Sequence, residues 1–88
     1  MMGAQFTTET RSYFIDGNID AENCTDIEFY NGGAAVLTVN SRPIEPQTSW
    51  IINGFPYEKN TGKYRVVFTG GTGLLVVTRR TYKGAQKL

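Results

Sequence analysis

The chain is expected to be all-β, a small antiparallel β-sandwich or barrel of six to seven strands. Three observations predict this. Short runs rich in Val, Ile, Thr, Tyr and Phe recur at roughly ten-residue intervals. Glycine-rich turns, Asn31-Gly32-Gly33 and Thr69-Gly70-Gly71-Thr72-Gly73, punctuate them. No window carries the 3.6-residue apolar period of an amphipathic helix with caps at both ends.

Residues 5–15 (QFTTETRSYFI) contain no Gly or Pro and read as an extended first strand. Its early part has no uniformly apolar face, so residues 1–12 are a candidate docking arm. Asp16-Gly17-Asn18 is a turn signal, and residues 19–24 form an acidic connector. Thr25, Ile27 and Phe29 alternate with Asp26, Glu28 and Tyr30, the period of a strand with one buried face. A three-residue loop at Asn31-Gly32-Gly33 would fold this strand back as a hairpin. It sets Phe29 opposite Ala35, Ile27 opposite Leu37 and Thr25 opposite Val39, with glycine supplying the positive φ.

Pro43 and Pro46 bar a central strand, so the segment between Asn40 and Gln47 belongs on an edge or over the surface. Trp50 and Ile52 share one face of the next strand, and residues 55–62 form a loop. Residues 63–68 and 74–82 read as a second hairpin. Symmetric pairing sets Phe68 against Leu74, Val66 against Val76 and Tyr64 against Thr78 as core. Val67, Leu75 and Val77 then form an outward apolar patch beside Arg65 and Arg79, and a second layer or another subunit must cover it. On that reading a Leu75→Asp variant stays folded and fails to assemble. Residues 84–88 form a polar tail.

Eighty-eight residues make one domain, 1–88. A chain this short buries only roughly 60 to 65% of its unfolded surface. Apolar residues at 40% and charged residues at 19% are globular values. The net charge of +1 argues against a general nucleic-acid binder. Charge is nevertheless divided: residues 1–46 sum to −5 and residues 47–88 to +6. Either the halves pair as neighbouring strands and the charges interleave, or an acidic face and a basic face serve head-to-tail assembly. A lone cysteine, Cys24, permits no intrachain disulfide. No apolar run approaches membrane-span length. Met1-Met2-Gly3-Ala4 leads at once into polar residues, which predicts synthesis in a cytoplasm without a signal peptide.

Chemistry-bearing motifs are sparse. Asp16-Gly17-Asn18-Ile19-Asp20-Ala21-Glu22 begins like a calcium loop. It has Ala21 where glycine is required and Ile27 where the bidentate glutamate belongs. The chain has no histidine, so a zinc site and a histidine-activated nucleophile are not expected. The second glycine-rich turn lacks the Lys and Ser/Thr of a phosphate loop. These readings predict a non-enzyme with no catalytic, metal or cofactor-binding residues. Bases and aromatics do interleave from Lys63 to Lys83, as in single-strand binders, but Tyr64 and Phe68 share core parity with Val66. Tyr30, Tyr57 and Tyr82 fall at turns or on outward parity, where aromatics serve as interface anchors or as lids on the sandwich, and Phe6 lies in the candidate arm.

The succession of a strand ending Asn31-Gly32-Gly33, a strand ending Val39-Asn40, the Ile44–Pro46 segment before Ser49-Trp50, then residues 63–68 and 74–80, resembles small β-sandwich virion proteins of tailed bacteriophages. The likeness covers about two thirds of the chain and rests on strand and turn patterns. Pro46-Gln47 departs from the Pro-Gly many of those proteins carry. The resemblance implies a non-enzymatic decoration, auxiliary or head–tail protein located in the virion. It would bind capsid or tail subunits, or itself, through Val67, Leu75, Val77, Arg65, Arg79, Tyr30, Tyr57, Tyr82 and Phe6. The alternative is a small β-barrel module that binds carbohydrate or single-stranded nucleic acid.

Overall fold

The computed structural model describes residues 6–54 and 59–82. Eight strands are formed: β1 (Phe6–Ile15), β2 (Gly17–Asp20), β3 (Asp26–Asn31), β4 (Leu37–Val39), β5 (Arg42–Ile44), β6 (Ser49–Ile52), β7 (Lys63–Phe68) and β8 (Thr72–Tyr82). They make two four-stranded sheets, in the order β1-β8-β3-β6 and β2-β7-β4-β5. Every pairing is antiparallel. The expected sandwich is therefore present. Two of its strands are short pieces that the sequence reads as connector and edge, β2 and β5. Pro43 sits in β5, which pairs only with β4, so the missing N–H costs no central ladder bond.

The two strand orders correspond position by position. β1 leads into β2, β3 into β4, β5 into β6 and β7 into β8, and each step leaves one sheet for the same place in the other. Eight antiparallel strands wound in this way form a jelly roll.

This winding overturns both expected hairpins. β3 lies between β8 and β6, so Phe29 is opposite Val77 and Trp50. β4 lies in the other sheet, where Val39 is opposite Arg42 and Val66. Ile27, Phe29, Leu37 and Val39 are all fully buried as expected, but they meet across the core and not along a ladder. Gly32 and Gly33 do not have positive φ. Gly32 is needed for a close approach instead: its N–H donates to the Leu74 carbonyl at 3.0 Å, and a Cβ there would lie 3.0 Å from Leu74 Cδ2. Positive φ falls at Gly70 and Gly71, where a single 3-10 turn carries β7 into β8. A two-residue hairpin, Asn40-Ser41, joins β4 to β5 with both residues at positive φ, the geometry of a type I′ turn.

Asn31 fixes the first crossing. It is 1% exposed, and its Nδ2 donates to the Ala35 carbonyl at 2.8 Å and the Ile44 carbonyl at 2.9 Å. Its Oδ1 accepts the Gly33 N–H at 3.0 Å. One side chain thus satisfies backbone groups on the turn and on β5.

The core is a single layer between the sheets. Ile27, Phe29, Leu75 and Val77 face Leu37, Val39, Ile44, Tyr64, Val66 and Phe68, with Ile19, Ala21 and Cys24 completing it. The Phe29 ring packs 5.8 Å from Trp50 and 5.0 Å from Tyr64, centroid to centroid. Burying each large apolar side chain contributes about 2 kcal/mol. Burial also pushes the Cys24 thiol above its ordinary pKa of 9.0, which keeps it unreactive in the folded chain.

Two core substitutions test this layout. Leu75→Ala is expected to cost about 3 kcal/mol through the cavity it leaves. Asn31→Ala, which orphans two carbonyls and one N–H, is expected to cost about 2 kcal/mol or more. Urea denaturation reads both; a midpoint unchanged from wild type would contradict the placement of that residue.

Candidate functional site

The candidate patch divides between the surface and the interior of the sandwich. Val67 is 41% exposed on the outer face of β7, and Arg65 is exposed beside it. Leu75 and Val77 are fully buried on the inner face of β8, and Arg79 is 3% exposed on that same face. The expectation that Leu75 and Val77 face outward is therefore corrected. β7 and β8 belong to different sheets, so no ladder between them sets a common face. The Leu75→Asp variant would place a carboxylate in the core and unfold the chain.

Arg79 has become an internal tie. Its Nε and Nη2 donate to the Asp20 carbonyl at 3.1 and 2.8 Å, anchoring the end of β2 to β8 across the sandwich. Glu9 and Glu22 carboxylates lie 3.6 and 4.0 Å from the guanidinium, and Nη1 makes no hydrogen bond within the protein. An open cleft of about 580 Å³ lies beside it, with Thr7, Asn23, Lys59 and Thr81 in its walls.

The outer face of the β1-β8-β3-β6 sheet gathers the remaining candidates. The register puts Phe6 opposite Tyr82, Thr8 opposite Arg80 and Thr10 opposite Thr78. The Phe6 and Tyr82 rings are 5.2 Å apart, and the Arg80 guanidinium stacks 4.4 Å over Phe6. The same guanidinium donates to Asp26 Oδ2 from Nε at 3.0 Å and from Nη2 at 2.7 Å, while Asp26 Oδ1 accepts the Gly54 N–H at 3.0 Å. Asp26 is thereby sheltered, with its side chain 12% exposed, although it alternates with the buried Ile27 and Phe29 on the outward parity of its strand. Glu28 accepts from Ser49 Oγ at 2.8 Å, and Tyr30 donates to Gln47 Oε1 at 2.8 Å. Ile51 is 51% exposed on this face. Between these groups runs a groove of about 250 Å³, floored by Thr8, Thr78, Glu28 and Ile51 and closed at one end by the Asp26–Arg80 pair. Tyr57 lies outside the described residues.

Sequence reasoning placed Arg80 only among the interleaved bases, and missed Ile51 and the threonine row. The alternation of Phe6, Thr8, Thr10, Ser12 and Phe14 along β1 was the available signal. Tyr64 and Phe68 are buried at 8% and 4%, so they offer no platform for bases. Among the described residues no group of three or more Cys, Asp or Glu side chains is placed to hold a metal ion.

The divided charges meet inside one molecule. Asp20 pairs with Lys63 at 2.7 Å, Asp26 with Arg80 at 2.7 Å, and Glu9 with Arg79 at 3.6 Å; Glu9 also pairs within its own half, with Arg11 at 2.7 Å. The Lys63 hydrogen bond, seconded by the Glu22 N–H, holds the Asp20 carboxyl below its ordinary pKa.

No family model matches the chain, and no curated protein matches its sequence.

Because the folded pKa of Asp20 is depressed, its stabilising contribution is present above the unfolded value and is lost as pH falls through the folded one. Stability is therefore expected to decline below pH 3.8, and Asp20→Asn to flatten that part of the profile. Thermal unfolding between neutral and acid pH measures this; an unaltered profile in the variant would remove Asp20 from the account.

Proposed function

We propose that the protein is a non-enzymatic structural component of a tailed-bacteriophage virion, a capsid decoration, auxiliary or head–tail protein that binds other virion subunits. The observation that carries the reading is a jelly-roll winding compressed into 88 residues, with aromatic, arginine and threonine side chains gathered on the outer face of the β1-β8-β3-β6 sheet. Jelly rolls recur in viral capsid domains, although a fold hosts many functions and the surface must supply the rest. That surface is the outer face carrying Phe6, Tyr30, Tyr82, Ile51 and the threonine row. Aromatic anchors and a paired arginine are side chains that protein interfaces favour. The capsid partner would dock there, and the chain would reach the virion after synthesis in the host cytoplasm.

The cleft beside Arg79 favours a second reading. Its threonines, Glu9, Glu22, Asn23 and Lys59 offer the mixed donors and acceptors that sugar hydroxyls use, and lectin domains share the jelly-roll fold. A glycan array probed with the purified chain measures this directly.

Peptide mass spectrometry of purified phage particles tests the first reading. The chain is expected at many copies per particle. Added to purified particles that lack it, wild-type protein should bind while Ile51→Asp stays folded and loses most of its binding. Absence from the particles, or full binding by the Ile51→Asp variant, would overturn the virion reading or the assigned face respectively.

A further inference from the structure

Of the four sheet edges, three are blunted. β5 is three residues long and contains Pro43, while β2 and β6 are four residues each. Short or proline-bearing edges are how sheets avoid pairing with other chains. β1 has neither device. It is ten residues long, exposed along almost its whole length, and its regular ladder with β8 runs from Phe6 to Tyr13 before a bulge interrupts it. Among the described residues its outer edge has no strand beside it.

We infer that this edge pairs with β1 of a second copy of the same chain, antiparallel about a two-fold axis at Thr10. The sequence of the strand supports that occupant. Read outward from Thr10, residue types mirror one another: Glu9 with Arg11, Thr8 with Ser12, Thr7 with Tyr13, Phe6 with Phe14. In a two-fold edge pairing a residue on one face must meet a residue on the same face of the other copy, so the axis passes through a residue and not between two. Centring the axis on Glu9 opposes two carboxylates, and centring it on Arg11 opposes two guanidinium groups. A parallel, in-register pairing opposes both like pairs at once. Only the Thr10 centre sets each Glu9 against Arg11 of the other copy, twice over, so that the exposed Glu9–Arg11 pair within each copy meets its symmetry mate and the four charges alternate in sign. It also sets hydroxyl against hydroxyl and, at the ends, Phe6 against the 59%-exposed Phe14. Opposite charges, aromatic pairs and Thr–Ser pairs are the stabilising cross-strand combinations.

The product is one eight-stranded sheet spanning two jelly rolls, an isologous dimer with no strand left to extend it on that side. The dimer does not rest on the virion reading, since it is a property of the isolated protein. A chain absent from phage particles can still form it.

Cysteine scanning of the exposed edge tests the register. Directly opposed residues in an antiparallel pair have Cα atoms about 5 Å apart, within disulfide reach. Thr10 meets itself, so Thr10→Cys is expected to give a covalent dimer under mild oxidation. Thr8 meets Ser12 and lies roughly 13 Å from its own copy, so Thr8→Cys should give no covalent dimer under the same oxidation. Both substitutions are on exposed side chains, and the native Cys24 is buried and takes no part. Light scattering of the wild-type chain should climb with concentration toward twice 9.8 kDa. Equal cross-linking by the two variants, or none by Thr10→Cys, would overturn the pairing, as would a wild-type chain monomeric at every concentration.

Discussion

The buried amide of Asn31 is the constraint on which the winding depends. An Asn-Gly-Gly sequence between two apolar strands is free to close a local hairpin. It does not do so here because the amide is already committed to Ala35 and Ile44 carbonyls and to the Gly33 N–H. Those bonds point the chain out of one sheet and into the other. The second glycine-rich turn then packs on the first: Gly32 donates to Leu74 and Thr69 donates to Val36. Two crossings held side by side at one end leave the strands little choice of partner. β8 falls between β1 and β3, and β7 between β2 and β4.

That order also explains the charges. Glu9, Asp20, Asp26 and Glu28 of the first half lie on β1, β2 and β3, and Lys63, Arg65, Arg79 and Arg80 of the second half on β7 and β8. Placing β8 between β1 and β3, and β7 beside β2, brings Glu9 to Arg79, Asp26 to Arg80 and Asp20 to Lys63. The division seen along the chain is to that extent fold chemistry. Exposed pairs of this kind contribute little each, so their value lies in register more than in stability. Arg79 differs, because it is buried and bonded to backbone across the sandwich, and its aliphatic stem packs in the core.

With Asp20, Asp26 and Glu9 paired internally, the outer face of the β1-β8-β3-β6 sheet is built largely from threonine, serine and a few large apolar side chains. The uncovered sheet face and the long β1 edge adjoin at Phe6 and Phe14. Pairing along the edge would therefore enlarge the face and not obstruct it. A dimer of this form presents one broad surface of eight strands, suited to a repeating partner such as a lattice.

The sequence by itself determined the class of fold and most of the core. Period-two alternation marked Ile27, Phe29, Tyr64, Val66 and Phe68 as buried, because a strand's side chains alternate whatever lies beside it. Proline placed β5 on an edge for an equally local reason, its missing N–H. Tertiary structure alone decided which strands pair. The period of a strand is the same whether its neighbour is across a turn or across the core, so β3 and β4 read as a hairpin and are not one. It alone decided the facing of β8 as well. Leu74, Leu75, Val76 and Val77 are apolar on both parities, and a run with no alternation carries no face until a second sheet buries one side of it. The interaction surface was the least legible part. Arg80 lies 54 positions from Asp26 and 74 from Phe6 in the sequence; winding β1 and β3 onto the two sides of β8 is what brings them into contact.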